Sequence, residues 1–218
     1  MEEMHKEAIS SGSTRRWGPL FGSGAKVWAD TWEGPQGWGG PAYHHVMTGA
    51  AIGDGTRVLD CGCGAGRFTR LAADAGADVA GIDAASEMIE IAAARTPTGE
   101  FIVGDLEALP WGDDTFDVVT GFSTFQFYRR QGACAHRGTP SGSSNRGECP
   151  SVFDAPESAI RAFLGAGPVT LASQYAGETA VAEALHEAVR QFTGLDERVT
   201  LRHWFRVVLA GPSASSPA

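Results

Sequence analysis

The stretch Val58-Leu59-Asp60-Cys61-Gly62-Cys63-Gly64-Ala65-Gly66-Arg67-Phe68 constrains this chain more than any other part of it. A short apolar run meets three glycines at alternate positions. Helical periodicity then follows at once, with Phe68, Leu71, Ala72 and Ala75 on one face. Glycines let a backbone bend sharply and lie close against a ligand, and the first turn of a helix offers unpaired N–H groups. A strand, a tight bend and a helix in direct succession open a parallel α/β unit that holds ligands at its strand tips.

The pattern repeats downstream. Gly53-Asp54-Gly55 marks a turn, Arg57–Cys61 is the first strand, and the helix over residues 66–75 stops at Gly76. Asp78–Asp83 is the second strand. Ser86 is placed to cap a helix carrying Met88, Ile91 and Ala92, with Pro97 beyond its end. Residues 101–103 and 116–121 read as a third and a fourth strand. This order predicts an α/β fold, a Rossmann-like and mostly parallel sheet with right-handed crossovers.

The acids at the strand ends suggest the ligand. In a Gly-x-Gly-x-x-Gly dinucleotide fingerprint the sixth position is glycine; here Arg67 fills it. Asp60 ends the first strand just ahead of the bend, where it would repel a pyrophosphate and attract an ammonium group. S-adenosylmethionine (SAM) carries an amino group and a sulfonium and no phosphate, so the loop suits it better than NAD. Asp83 ends the second strand, where a carboxylate can accept hydrogen bonds from both ribose hydroxyls. Gly104-Asp105-Leu106-Glu107 ends the third, where Asp105 can take an adenine amino group and Leu106 can pack on the ring. Any one of these acids alone reads rather as a solvated strand-end charge. Three in succession share one crevice.

The segments VLDCGCGAGRF, GIDAASEMIEIA, FIVGDLEALPWGDDTFDVV and TGFSTFQF resemble class I SAM-dependent methyltransferases, particularly small-molecule enzymes similar to those of quinone biosynthesis. The resemblance spans residues 55–127. It implies that Asp60, Gly62, Cys63 and Gly64 line the methionine end, and that Asp83 with Ala84 holds the ribose. It also implies that Gly104, Asp105, Leu106 and Glu107 frame the adenine, with Met88 over its other face. Phe122 and Ser123 would lie where the fourth strand meets the methyl donor. The stretch around Trp28, residues 17–33, is similar to the N-terminal helix that the family folds over its cofactor.

The flanks divide the chain further. Residues 1–50 form an N-terminal arm and helical cap: a polar arm to residue 16, then four of the six tryptophans with a short helix over 24–32. Residues 51–127 are the SAM-binding core. Residues 128–152 depart from the family, because 129–150 contain almost no aliphatic residue and show no helical or strand period. Residues 153–211 hold C-terminal helices and a strand. Asp154 and Glu157 form a capping-box pattern, a second helix keeps Val181, Leu185, Val189 and Phe192 on one face, and residues 199–209 read as strand. Residues 212–218 are a tail. The turn and fifth strand that the family places after its fourth are missing, which makes the sheet incomplete. A competing parse takes Gly165-Ala166-Gly167-Pro168 and residues 169–171 as a degenerate turn and fifth strand.

Composition closes off other classes. A formal charge of −9 opposes nucleic-acid binding. No apolar run is long enough for a bilayer and no leader precedes the first helix, so the expectation is a cytoplasmic protein without membrane association. Cys61 and Cys63 are too closely spaced, and Cys134 and Cys149 too widely, for a structural zinc site; no metal is expected. The sequence singles out no catalytic residue, since none of His44, His45 and His136 stands in a catalytic pattern, and it leaves the oligomeric state open. The leading expectation is methyl transfer from SAM to a small-molecule acceptor. The alternatives are a catalytically impaired SAM-binding remnant and, disfavoured by Arg67 and Asp60, an NAD(P)-dependent oxidoreductase.

Overall fold

The computed structural model describes residues 14–34, 37–124 and 141–211. Its centre is a four-stranded parallel sheet in the order β3-β2-β1-β4, built from β1 (Arg57–Cys61), β2 (Asp78–Asp83), β3 (Glu100–Val103) and β4 (Val118–Thr120). Helices α4 (Arg67–Asp74) and α5 (Ser86–Arg95) connect the first three strands. Among the described residues, three helices precede the sheet: α1 (Thr14–Gly22), α2 (Ala25–Asp30) and α3 (Gly40–Gly49).

β1 is covered on both faces, so its residues do not alternate in burial: Val58, Leu59, Asp60 and Cys61 are at most 2% exposed. On one face Val58 and Val79 pack with Phe68 and Ala72 of α4 and with Tyr43 and Val46 of α3. On the other, Leu59, Cys61, Ala80 and Ile82 pack with Leu106, Leu109, Trp111 and Phe116. The segment after β3 therefore covers a face that a complete doubly wound sheet gives to helices. Among the described residues no fifth strand joins β4.

The C-terminal part consists of β5 (Ser141–Phe153), α6 (Pro156–Leu164), α7 (Gly167–Ala176), α8 (Glu178–Arg190) and β6 (Val199–Gly211). β5 and β6 form a separate antiparallel ribbon, paired from Ser141↔Gly211 to Phe153↔Val199. Trp32 ties this part to the cap. Its indole Nε1 donates to the Ala162 carbonyl at 2.8 Å, and its ring meets Phe153 and Phe163 at 5.6 and 5.2 Å.

Several local expectations are revised. Residues 14–16 belong to α1 rather than to an arm, because Gly18 and Gly22 let that helix lie against Ala84 and Glu87. Residues 141–150 are strand rather than irregular: their backbone pairs with that of β6, which needs no aliphatic side chain. The part of the irregular segment before residue 141 lies outside the described residues. Residues 169–171 are helical, since Pro168 sits in the first turn of α7, where its missing N–H costs nothing. Neither Ser86 nor Asp154 caps its helix. Ala85 and Ala155 hold those positions without side-chain bonds, and Asp83 Oδ1 accepts from the Ala85 N–H at 2.9 Å instead.

Candidate functional site

The β1–α4 bend needs its glycines. Gly62, Gly64 and Gly66 have φ of 69°, 55° and 83°, a left-handed region costly for other residues. A Cβ on Gly62 would also run into Thr124 beyond β4, and one on Gly64 into the Glu33 carboxylate.

Glu33 is the central residue that the sequence did not single out. It is 9% exposed. Oε1 accepts from the Ala65 N–H at 2.9 Å and from Trp28 Nε1 at 2.8 Å, and Oε2 accepts from the Arg67 N–H at 3.0 Å. Arg95 completes an ion pair at 3.0 Å and donates to the Ala29 carbonyl. The cap thus places a carboxylate at the N-terminus of α4, where the helix dipole favours negative charge. No local period betrays this, because the contact joins residues more than thirty positions apart.

Every N–H from Gly62 to Arg67 is answered within the chain. Gly62 and Cys63 donate to the Ile82 carbonyl, Gly64 to Asp83 Oδ2 at 3.0 Å, and Gly66 to the Cys63 carbonyl. Ala65 and Arg67 donate to Glu33. Asp83 therefore spends one lone pair on the bend and another on Ala85, and each oxygen keeps acceptor capacity.

A cavity of about 290 Å³ opens beside this bend. Asp60, Gly62, Cys63 and Gly64 line it from the bend; Asp83, Ala84 and Met88 line it from β2 and α5; Phe122 and Ser123 come from the end of β4. The structure thus brings these expected residues together. Gly104, Asp105, Leu106 and Glu107 stand outside that wall. Asp105 Oδ1 accepts from the Glu107 N–H, and Leu106 is buried beneath the sheet. Tyr43 lines the cavity, whereas His44 is exposed and neither it nor His45 reaches the wall. Trp17, Trp28, Trp32 and Trp38 of the cap contribute, as do Phe163, His203 and Phe205 from the C-terminal part.

Three carboxylates meet here. Burial pushes Asp60 up to about 7; the Thr120 hydroxyl, donating at 2.8 Å, opposes this, while Glu33 and Asp83 add to it. Burial also raises Glu33 and Asp83. A cation entering the cavity would relieve their mutual repulsion. Among the described residues no group of three or more His, Cys, Asp or Glu converges as a metal site. Cys61, Cys63 and Cys149 are buried thiols outside any disulfide. No helix of the described residues is long and apolar enough to cross a membrane.

Residues 58–136 match the family described as "Methyltransferase domain". In this match and in the parallel sheet that carries it, the segment is similar to the class I SAM-dependent methyltransferases, whose methyl donor is SAM. The chain is 31% identical over 118 residues to demethylmenaquinone methyltransferase from Renibacterium salmoninarum, covering 54% of this chain and 39% of that protein. It is 42% identical over 79 residues to the enzyme of the same name from Thermotoga maritima, covering 34% of each. A solved structure of magnesium protoporphyrin IX methyltransferase from Synechocystis, with bound SAM, shares 24% identity over 40% of this chain and 44% of that one, with a TM-score of 0.35. The chain thus spans between a third and two fifths of the length of those two curated relatives.

Proposed function

We propose that the chain binds SAM in the cavity beside the glycine bend and transfers its methyl group to a small apolar acceptor. One observation carries this reading: the bend's six N–H groups are all satisfied by the chain's own carbonyls and carboxylates. A dinucleotide's pyrophosphate needs such donors free. A phosphate-free cation needs acids instead, and Asp60, Asp83 and Glu33 line the cavity.

In this reading Asp60 and Glu33 favour the positively charged end of the donor, and Asp83 accepts from the ribose hydroxyls. Gly62, Cys63 and Gly64 supply a floor without protruding side chains, and Ala84 and Met88 pack against the nucleoside. The adenine end would reach past Ala84 beyond the cavity wall toward the tip of β3, where Gly104, Asp105 and Glu107 stand, with Leu106 buried behind them. When bound, SAM supplies an electrophilic methyl carbon whose sulfonium sulfur leaves with the C–S electron pair. The chain's contribution is largely orientation and exclusion of water, and holding two reactants in line is worth ~7–11 kcal/mol. The aromatic wall of Trp17, Phe21, Trp38, Phe163 and Phe205 suits an apolar acceptor. The demethylmenaquinone methyltransferases among the relatives support that class.

Calorimetric titration with SAM, its demethylated product and NAD tests the reading: the first two bind and NAD does not. Binding of NAD alone would overturn it. A second reading, a SAM-binding remnant without turnover, is favoured by the sheet ending at β4 among the described residues. It predicts SAM binding with no acceptor methylated across a small-molecule library.

A further inference from the structure

Arg67 stands where a dinucleotide fingerprint has its last glycine, and its two ends do different things. Its N–H donates to Glu33 Oε2 at the bend, while the side chain runs from the first turn of α4 to the cap. Nη1 donates to the Trp38 carbonyl at 3.2 Å, and Cζ lies 5.7 Å from the centroid of the Tyr43 ring. Trp38 and Tyr43 both line the cavity beside the bend.

The backbone around Trp38 explains why a tether matters. It reads Gly37-Trp38-Gly39-Gly40, between α2 and α3, and glycine restrains a backbone least of all residues. Yet the Trp38 ring stands in the middle of an aromatic cluster, with the ring centroids of Phe205, Trp32 and Trp28 at 5.0, 5.5 and 6.2 Å. The same glycines make room for the tether. A Cβ on Gly37 would come within 2.8 Å of Arg67 Nη1, and one on Gly39 within 2.9 Å of the Tyr43 ring. Tyr43 is the fixed end of this arrangement: it is buried and packs on Phe68 and Phe122 at 5.6 and 4.6 Å between centroids. A planar guanidinium can lie over an aromatic ring and still donate to a carbonyl beside it.

We propose that Arg67 is the positioning residue of the acceptor wall: its guanidinium, seated on the Tyr43 ring, holds the Trp38 loop in place and so pre-forms the surface on which an apolar acceptor packs. The proposal rests on the methyl-transfer reading above and adds to it the residue that joins the two reactants' sites. Its N–H belongs to the donor bend and its side chain to the acceptor wall. Without the guanidinium the acceptor itself has to order the Trp38 loop as it binds, and that cost weakens its binding.

Two ligands read these two ends separately. The full chain should bind the demethylated donor, and the chain saturated with it should bind naphthalene, an apolar probe of the wall. Arg67→Met should weaken naphthalene binding roughly three- to tenfold, the scale of ordering one large side chain, and leave the affinity for the demethylated donor unchanged. Arg67→Lys keeps a cation near Tyr43 and should recover part of the loss. Arg70→Met, which removes an exposed arginine one turn further along α4, should change neither affinity. In NMR the Trp38 indole N–H resonance should move in Arg67→Met and stay in place in Arg70→Met. The proposal is overturned by undiminished naphthalene binding in Arg67→Met, by no recovery with lysine, or by an unmoved Trp38 resonance. It is overturned equally by a matching loss of both ligands in Arg67→Met, by the same changes in Arg70→Met, or by a wild-type chain that binds the demethylated donor and not naphthalene. Failure of the wild type to bind the demethylated donor would instead overturn the methyl-transfer reading beneath it.

Discussion

Single side chains decide what the bend can hold. Asp83 links two elements, accepting from Gly64 and Ala85, and it lines the cavity. Asp83→Ala is expected to weaken SAM binding by about 1.5–3 kcal/mol, the scale for a charged hydrogen-bond partner; calorimetry with an unchanged affinity would remove Asp83 from the site. Asp60 adds a pH signature. Folding raises it from 3.8 to about 7, so the folded chain holds this proton more tightly than the unfolded one. That contribution to stability is complete below the ordinary carboxyl value and is lost as pH rises through about 7. Glu33 and Asp83 are raised too and act in the same direction. The urea midpoint of the ligand-free chain should therefore fall between roughly pH 4 and pH 7 and level off above. Asp60→Asn should flatten the fall; an equally steep fall in the variant would assign it to other groups.

Elements position these side chains with unequal visibility in sequence. The strands and helices of the β1–β3 region were legible because their signals are local: apolar runs of strand length, helical spacing, and glycines at the bends. β5 was not, because what makes Ser141–Phe153 a strand is its pairing with β6, whose partners lie 46 to 70 positions along the chain, from Phe153↔Val199 to Ser141↔Gly211. The capping patterns at Ser86 and Asp154 misled for the reverse reason. The local motif was present, but Asp83 took over the turn before α5, and Asp154 lies 3.6 Å from Arg198. Glu33 escaped notice because it acquires meaning only when the cap and the ribbon close over the bend. Trp32 holds that closure, 4% exposed between the cap and α6. Trp32→Ala is expected to cost about 3–5 kcal/mol of folding stability, the usual loss for an emptied aromatic site. A denaturation midpoint near that of the wild type would show that cap and C-terminal part are not joined through this ring.

At the scale of the whole molecule, a parallel sheet carries acids at adjacent strand tips, and a tryptophan-rich cap with a C-terminal ribbon walls the space above them. Glycine spacing and strand-end acids made the SAM reading available from sequence. The physical reason became visible only in three dimensions, where Glu33 and Asp83 take up the donors that a phosphate would require. A crystal structure of the chain with the demethylated product of SAM tests this most directly. The account predicts ribose hydroxyls on Asp83, with the Gly64 N–H still donating to Asp83 and the Ala65 and Arg67 N–H groups still donating to Glu33. A ligand whose own groups bond those three N–H groups, with Glu33 swung out of the bend, would contradict it.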